Sequence, residues 1–285
     1  MERIGDRVKR MVTIQDISCV GKCALTVALP VISAMGTEAC VIPTAVLSSH
    51  TAFDSFTFYD LTSQIAPIVD NWKEQKLDFS CIYTGYLGSK QQMDIVSSFI
   101  DDFGEGATVF IDPVMGDFGK LYSGFDESFA KKMASLCAKA DVIVPNMTEA
   151  LYLLGEKYRH VEDMEEIRDI LCRLCGLGAK KAVLTGIEPE PHKIGVVMYD
   201  SETDRFYSHF SAKVDKVFHG TGDVFSSACV GGLCRGLGLE KALELAVDFT
   251  SKCAEISAEN PHTRWYGVDF ETAIPWLVDR IREIE

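Results

Sequence analysis

Four short polar clusters in this sequence each follow a run of apolar residues, as happens where a buried strand ends at a surface that can carry chemistry, and a fifth precedes a helix. They are Gln15-Asp16, Thr84-Gly85-Tyr86, Asp112-Pro113, Pro145-Asn146 with Glu149, and His219-Gly220-Thr221-Gly222-Asp223. Asp16, Asp112 and Glu149 supply carboxylates, which when ionised only accept hydrogen bonds and so suit cations and donor-rich partners. The fifth cluster opens a helix. Its two glycines let the backbone turn tightly with several amide N–H groups aimed at one spot, and the positive end of the helix dipole adds to them. Such a turn suits an anion, either a bound phosphate or a developing oxyanion. Asp223 stands in the first helical turn beside that spot, where an acid can serve as a base or as a cap.

Other phosphate and metal signatures are missing from the sequence. No G-x-x-x-x-G-K-[ST] occurs, because Gly119-Lys120 lacks the earlier glycine at that spacing. The first strand is followed by Asp16-Ile17-Ser18-Cys19-Val20-Gly21, with one glycine rather than a dinucleotide-binding G-x-G-x-x-G. Ten cysteines are scattered along the chain and are expected to be buried thiols. Cys172 and Cys175 sit three apart within a helical pattern, so they read as small side chains on one helix face rather than a metal or redox pair. His50 and His219 flank two of the clusters; lone histidines in turns more often hydrogen-bond structurally than act as bases.

The elements that would place these clusters can be read from periodicity. Apolar runs at 11–15, 40–43, 79–83, 108–112, 141–145 and 181–185 predict strands, with alternating strands at 195–200 and 204–211 joined by Ser201-Glu202-Thr203 as a hairpin. Helices are predicted at 26–34, 60–72, 93–103, 127–139, 148–154, 164–174, 224–234, 239–258 and 272–283. Strand-then-helix repetition with Val- and Ile-rich strands implies βαβ units and a parallel sheet covered on both faces. No linker or internal repeat divides it, so one doubly wound domain over 1–285 is expected, with the hairpin as an antiparallel edge. Ligands in such sheets bind beyond the carboxyl ends of the strands, where four of the clusters fall.

Composition narrows the partners. With 285 residues, 28 Lys+Arg and 42 Asp+Glu, the formal net charge is −14. Nucleic acid or an anionic membrane surface would require clustered Lys and Arg, and no such run occurs. The start, MERIGDRVKRM, mixes both charge signs without an apolar core region, and the longest apolar stretch is interrupted by Pro30. A cytoplasmic protein acting on a small molecule, with no membrane and no nucleic-acid partner, is the expectation.

Five segments in one order carry a resemblance to a known family: Ser49-His50-Thr51, Thr84-Gly85-Tyr86, residues 112–117 through Tyr122, Pro145-Asn146-x-x-Glu149-Ala150, and Gly220-Thr221-Gly222-Asp223. Over most of its length the chain resembles the ribokinase-like superfamily, and within it the pyridoxal kinases. The resemblance implies an α/β/α three-layer sandwich, a homodimer, and ATP-dependent phosphorylation of the 5′-hydroxymethyl group of pyridoxal and its B6 relatives. It makes Asp223 the base, Gly220, Thr221 and Gly222 the anion hole, and Asp112 and Glu149 the carboxylates for Mg²⁺. Asn146, Thr185 and Thr221 would meet the nucleotide, Asp16, Thr51 and Tyr86 the alcohol substrate, and residues 117–124, with Asp117, Gly119, Lys120 and Tyr122, would form a flap over the phosphates.

Three positions depart from that pattern. Asp16 stands where pyridoxal kinases carry Ser, and hydroxymethylpyrimidine and sugar kinases of the superfamily have an acid near this point. Either of those kinase activities is therefore an alternative; a non-catalytic B6-vitamer binding protein is an alternative of another class. Val144 replaces a Thr before Pro-Asn, removing an oxygen that would help to hold a monovalent cation, so such an ion is a weaker expectation than Mg²⁺. Asp223 occupies a position held by Cys in one branch of bacterial pyridoxal kinases, so no covalent cysteine is assigned.

Overall fold

The computed structural model describes residues 8–284; the mixed-charge start at 1–7 and Glu285 lie outside the described residues. The chain runs β1 (Arg10–Ser18), α1 (Leu25–Ala34), β2 (Glu38–Leu47), β3 (Phe58–Asp60), α2 (Thr62–Glu74), β4 (Cys81–Thr84), α3 (Lys90–Phe103) and β5 (Thr108–Ile111). It continues through β6 (Gly116–Asp117), β7 (Lys120–Leu121), α4 (Glu127–Cys137), β8 (Val142–Ile143), α5 (Met147–Leu153), α6 (Met164–Cys175) and β9 (Lys181–Ile187). The antiparallel pair β10 (Lys193–Asp200) and β11 (Arg205–Ala212) follows, then α7 (Thr221–Arg235), α8 (Leu239–Glu259) and α9 (Phe270–Ile284).

Nine strands form one sheet in the order β11-β10-β9-β8-β5-β4-β1-β2-β3. The strands from β9 through β2 pair in parallel, whereas β10, β11 and β3 pair antiparallel at the two edges. Alternation along β1 shows why the sheet is covered twice: Val12 and Ile14 enter a core under α2–α6, while Met11 enters a second core under α1 and α7–α9. This is the expected three-layer α/β/α sandwich.

Register gathers the predicted clusters. Ile14 pairs with Thr84, and Thr84 with Ile111, so the residues that follow (Gln15, Gly85 and Asp112) lie side by side at the carboxyl edge. From β1 the chain crosses to β2, and from β4 it crosses the other way to β5. The strand order thus reverses between β1 and β4, and a crevice opens at such a point.

Three expectations need correction. β3 has all three residues exposed and so lacks an alternating signal; its antiparallel pairing with β2 gives the sheet a second such edge. Residues 116–121, most of them in the expected flap, form the small β6–β7 hairpin, which the periodicity did not predict. The cysteines are all unpaired, but only six are buried: Cys23 and Cys40 are intermediate, and Cys19 and Cys172 are exposed. Among the described residues no helix is long and apolar enough to cross a membrane.

Candidate active site

Asp16 sits where the β1–β2 register shifts between Gln15 and Ile17. An irregularity of this kind re-aims a side chain at the end of a ladder. The Asp16 carboxyl is 6% exposed, and its Oδ2 accepts a 3.0 Å hydrogen bond from Ser18 Oγ. Burial pushes it up to about 6 despite that donor. Tyr86 is half-buried against Phe125, with ring centroids 5.7 Å apart. Burial, with Asp16 and Asp60 nearby, raises its phenol to about 12. Cys23, without a motif in the sequence, lies near Asp16 and Asp223; its thiol is raised chiefly by burial and further by those two carboxylates. Thr51 lies exposed in the turn after His50, and among the described residues no hydrogen bond ties it to the others. His50 itself is structural, accepting from Ala52 N at Nδ1 (3.1 Å) and meeting the Tyr266 carbonyl at Nε2 (3.0 Å).

The predicted anion turn is present. Gly220 caps α7 with φ 79° and makes no side-chain cap, so the cap residue itself takes none of the first-turn amides. A Cβ built on Gly220 would stand 1.8 Å from the Lys22 carbonyl oxygen; positive φ and close approach together require glycine there. Asp223 occupies the first turn. Burial lifts its carboxyl to about 7, the Ala24 N–H pulls it down and Asp16 pushes it further up. An aspartate poised near neutrality suits acceptance of an alcohol proton.

From the same face of α7, one turn on, Ser226 Oγ donates to Asp112 Oδ2 at 2.7 Å. Sequence reading gave Ser226 no role, although a serine three residues after Asp223 must share that helix face. Glu149 and Asn146 form a capping box at the start of α5, with Asn146 Oδ1 accepting from Glu149 N and Glu149 Oε2 from Asn146 N, both at 3.0 Å. Glu149 Oε1 also accepts from Met115 N at 3.0 Å. Asn146 Nδ2 donates to the Gly116 carbonyl at 2.9 Å. Burial raises both carboxyls well above their ordinary range, and each is also raised by a neighbouring negative charge, Glu149 by Asp112 and Asp112 by Asp223. Asp112, Asn146, Glu149, Thr185, Thr221 and Gly222 line one cleft of about 710 Å³. Thr185 borders it from β9, its Oγ1 3.3 Å from the Pro145 carbonyl.

The β6–β7 hairpin borders the same cleft. Phe118 (φ 48°) and Gly119 (φ 79°) make the two positive-φ positions of a tight hairpin turn. The turn is tied down at its base by Gly119 N to Thr148 Oγ1 (2.9 Å) and Phe118 N to Asp117 Oδ1 (2.8 Å). Asp117 and Phe118 line the cleft, Lys120 is exposed, and Tyr122 lies near Glu149, Asp117, Asp223 and Asp112, which, after burial, raise its phenol. Of the predicted residues, then, the structure brings Asp16, Tyr86 and Asp223 together on one side and Asp112, Asn146, Glu149, Thr185 and the hairpin on the other, with Gly220–Gly222 between. Thr51 is the one it leaves apart.

Known proteins share both the sequence pattern and the fold. Residues 27–265 match the family model described as phosphomethylpyrimidine kinase. A putative phosphomethylpyrimidine kinase from Bacteroides thetaiotaomicron, solved in a form with pyridoxal, superposes with TM-score 0.90 at 38% identity over 95% of this chain and 96% of its own. Pyridoxal kinase from Lactobacillus plantarum superposes with TM-score 0.88 at 29% identity, covering 97% and 99%. Pyridoxal kinase of Dictyostelium discoideum is 27% identical over 83% of each chain. On this sequence match, carried by a fold of the same order and length, the chain belongs to the phosphomethylpyrimidine kinase family of ribokinase-like kinases.

Proposed function

We propose that the chain is an ATP-dependent kinase that phosphorylates the 5′-hydroxymethyl group of pyridoxal and of the related pyridoxine and pyridoxamine. One observation carries this reading: a single helix, α7, presents the anion turn and Asp223 to one cluster, and through Ser226 holds Asp112 of the other. A base, an anion site and two buried carboxylates meeting at one crevice are the parts that phosphoryl transfer needs. A protein that only bound a vitamer would need none of them together.

Asp223 accepts the proton of the substrate alcohol, and its raised pKa makes it a competent base near neutrality. A loose transition state demands little early deprotonation, so positioning outweighs basicity. Amides of Gly220, Thr221 and Gly222 face the charge developing on the transferred phosphoryl group. Asn146, Thr185 and Thr221 line the nucleotide cleft, and the β6–β7 hairpin, with Asp117, Gly119, Lys120 and Tyr122, covers the phosphates from water. On the alcohol side Asp16 and Tyr86 hold the aromatic ring, whereas Thr51 stands apart in its exposed turn and would reach the ring only by a movement of that turn.

The donor set fits Mg²⁺. Two buried carboxyls held above their ordinary range by burial and neighbouring negative charge are relieved by a dication, and Mg²⁺ typically takes one or two carboxylates plus phosphates and water. No group of three or more His, Cys, Asp or Glu at metal-binding spacing occurs among the described residues, consistent with an ion that arrives with the nucleotide. Asp112 and Glu149 would hold it, and bound there it would neutralise phosphate charge. Val144 offers no side-chain oxygen at the β8 end, so a monovalent cation has less support. Family likeness supports a single-domain, cytoplasmic homodimer.

A second reading keeps the chemistry and changes the alcohol to hydroxymethylpyrimidine; Asp16, an acceptor-only group, favours a ring that presents several donors. The deciding experiment measures ADP formation with pyridoxal, pyridoxine, pyridoxamine, hydroxymethylpyrimidine and ribose. Turnover of the B6 compounds with the highest kcat/KM is the expected result. A preference for hydroxymethylpyrimidine moves the assignment to the second reading, and tight vitamer binding without ADP overturns both.

A further inference from the structure

The loop between β1 and α1 is held in a costly conformation beside the proposed base. Ala24 has φ 48° and ψ −134°, a region that side-chain-bearing residues rarely occupy and that persists only where the surroundings impose it. It is also the cap of α1, without a side-chain hydrogen bond. Its N–H faces the Asp223 carboxyl as a donor. One residue earlier, Cys23 faces the same carboxyl; one before that, the Lys22 carbonyl packs on Gly220 so closely that no side chain fits between them.

A pair 247 residues apart braces this loop. Lys22 Nζ lies 2.7 Å from Asp269 Oδ1 and 2.9 Å from Glu271 Oε2. The Lys22 and Asp269 side chains are only 14% and 10% exposed, so this is not one of the solvated surface pairs that contribute little. Asp269 is itself fixed: Oδ2 accepts from Asn260 Nδ2 (2.8 Å) and Thr263 Oγ1 (2.6 Å), and its N–H donates to Ser257 Oγ (2.7 Å). Neighbouring Gly267 packs on the Lys22 side chain, and Val268 N donates to the His219 carbonyl at the start of the anion turn. The α8–α9 loop therefore grips the β1–α1 loop and the anion turn together.

We propose that Lys22 and Asp269 are positioning residues for phosphoryl transfer: their ion pair forces the strained turn at Ala24, which aims the Ala24 amide at Asp223 and seats the Lys22 carbonyl against Gly220. Neither residue touches a reacting atom. The inference rests on Asp223 being the base, and it extends the active machinery to a loop at the far end of the chain.

The test is steady-state kinetics on Lys22→Met, Asp269→Asn and Lys22→Arg, using ATP and the alcohol that the unaltered protein turns over fastest. Misplacing a reacting group by a fraction of an ångström costs one to two orders of magnitude, so Lys22→Met and Asp269→Asn should lose about 10- to 100-fold in kcat. KM for both substrates should stay within about threefold, and Lys22→Arg, whose guanidinium reaches both carboxylates, should recover to within about threefold of the unaltered kcat. A loss that falls in KM alone, a Lys22→Arg no better than Lys22→Met, or full kcat in both disruptive variants overturns the proposal. If Lys22→Met does not fold, Asp269→Asn, which retains a side-chain oxygen for Thr263, carries the comparison. Should the unaltered protein ignore every B6 compound and use another alcohol, the substrate assignment falls while the variant-to-parent ratio still reads this clamp.

Discussion

The two halves of the crevice are built differently. On the proposed nucleotide side, Glu149 and Asn146 satisfy one another in a capping box, Ser226 serves Asp112, and the hairpin is stitched to Thr148. These groups sit at the ends of strands and helices. On the alcohol side Asp16 stands at a register shift, Thr51 in an exposed turn, and Ala24 in a strained one. The first half is assembled from regular elements with their hydrogen bonds met, whereas the second is assembled from loops braced by distant contacts. In the proposed reaction the stiff half would handle the transferred phosphoryl group and the adaptable half the acceptor alcohol.

Several measurements would break or sharpen that contrast. Asp223→Asn serves both halves and should have the largest effect, a kcat loss of about 10²- to 10⁴-fold, the range for removing a general base, with no fall in melting temperature because it removes a charge that burial disfavours. Next, Glu149→Gln should cost about 10- to 100-fold in kcat/KM for ATP and leave KM for the alcohol almost unmoved. Asp16→Ser should do the reverse, shifting relative kcat/KM among the candidate alcohols by about tenfold, the value of one charged hydrogen bond, with KM for ATP unchanged. If either variant altered the other substrate's KM equally, the division into halves would fail.

The smallest effects concern pH. Activity should rise as pH increases through about 7, where Asp223 loses its proton. For stability the sign is opposite. Asp16 and Asp223 are raised from an ordinary 3.8 to about 6 and about 7, so the folded state favours their protonated forms. Their contribution is complete below the ordinary carboxylate range and is lost as pH rises through 6 and 7. Melting temperature without ligands should therefore decline over that interval, and Asp16→Asn should flatten the decline; a steeper decline in that variant would contradict the burial argument.

Much of this was legible in the sequence because period and order survive without coordinates. The Val- and Ile-rich strands, the helices between them and the turn around Gly220 follow from local pattern, and register then had to align Gln15, Gly85 and Asp112. What stayed hidden depends on pairing across distance. Lys22 and Asp269 stand 247 residues apart and look like ordinary surface charges. β3 and the β6–β7 hairpin are two or three residues each, too short for alternation to register. Cys23 and Ser226 carry no motif; each is placed by the element next to it. Ala24 is strained by its surroundings, which a propensity scale cannot see.

Asp223 and Ser226 lie three positions apart on α7, about 4.5 Å along the helix axis at 1.5 Å per residue. In the proposed reaction one meets the acceptor alcohol; the other holds Asp112, the carboxylate on the donor side. The spacing between the two ends of the reaction is thus a length inside a hydrogen-bonded rod, a ruler that loop breathing cannot stretch. Warming or mild denaturant would change how often the crevice is assembled, but each assembled molecule would measure the same gap between giver and receiver.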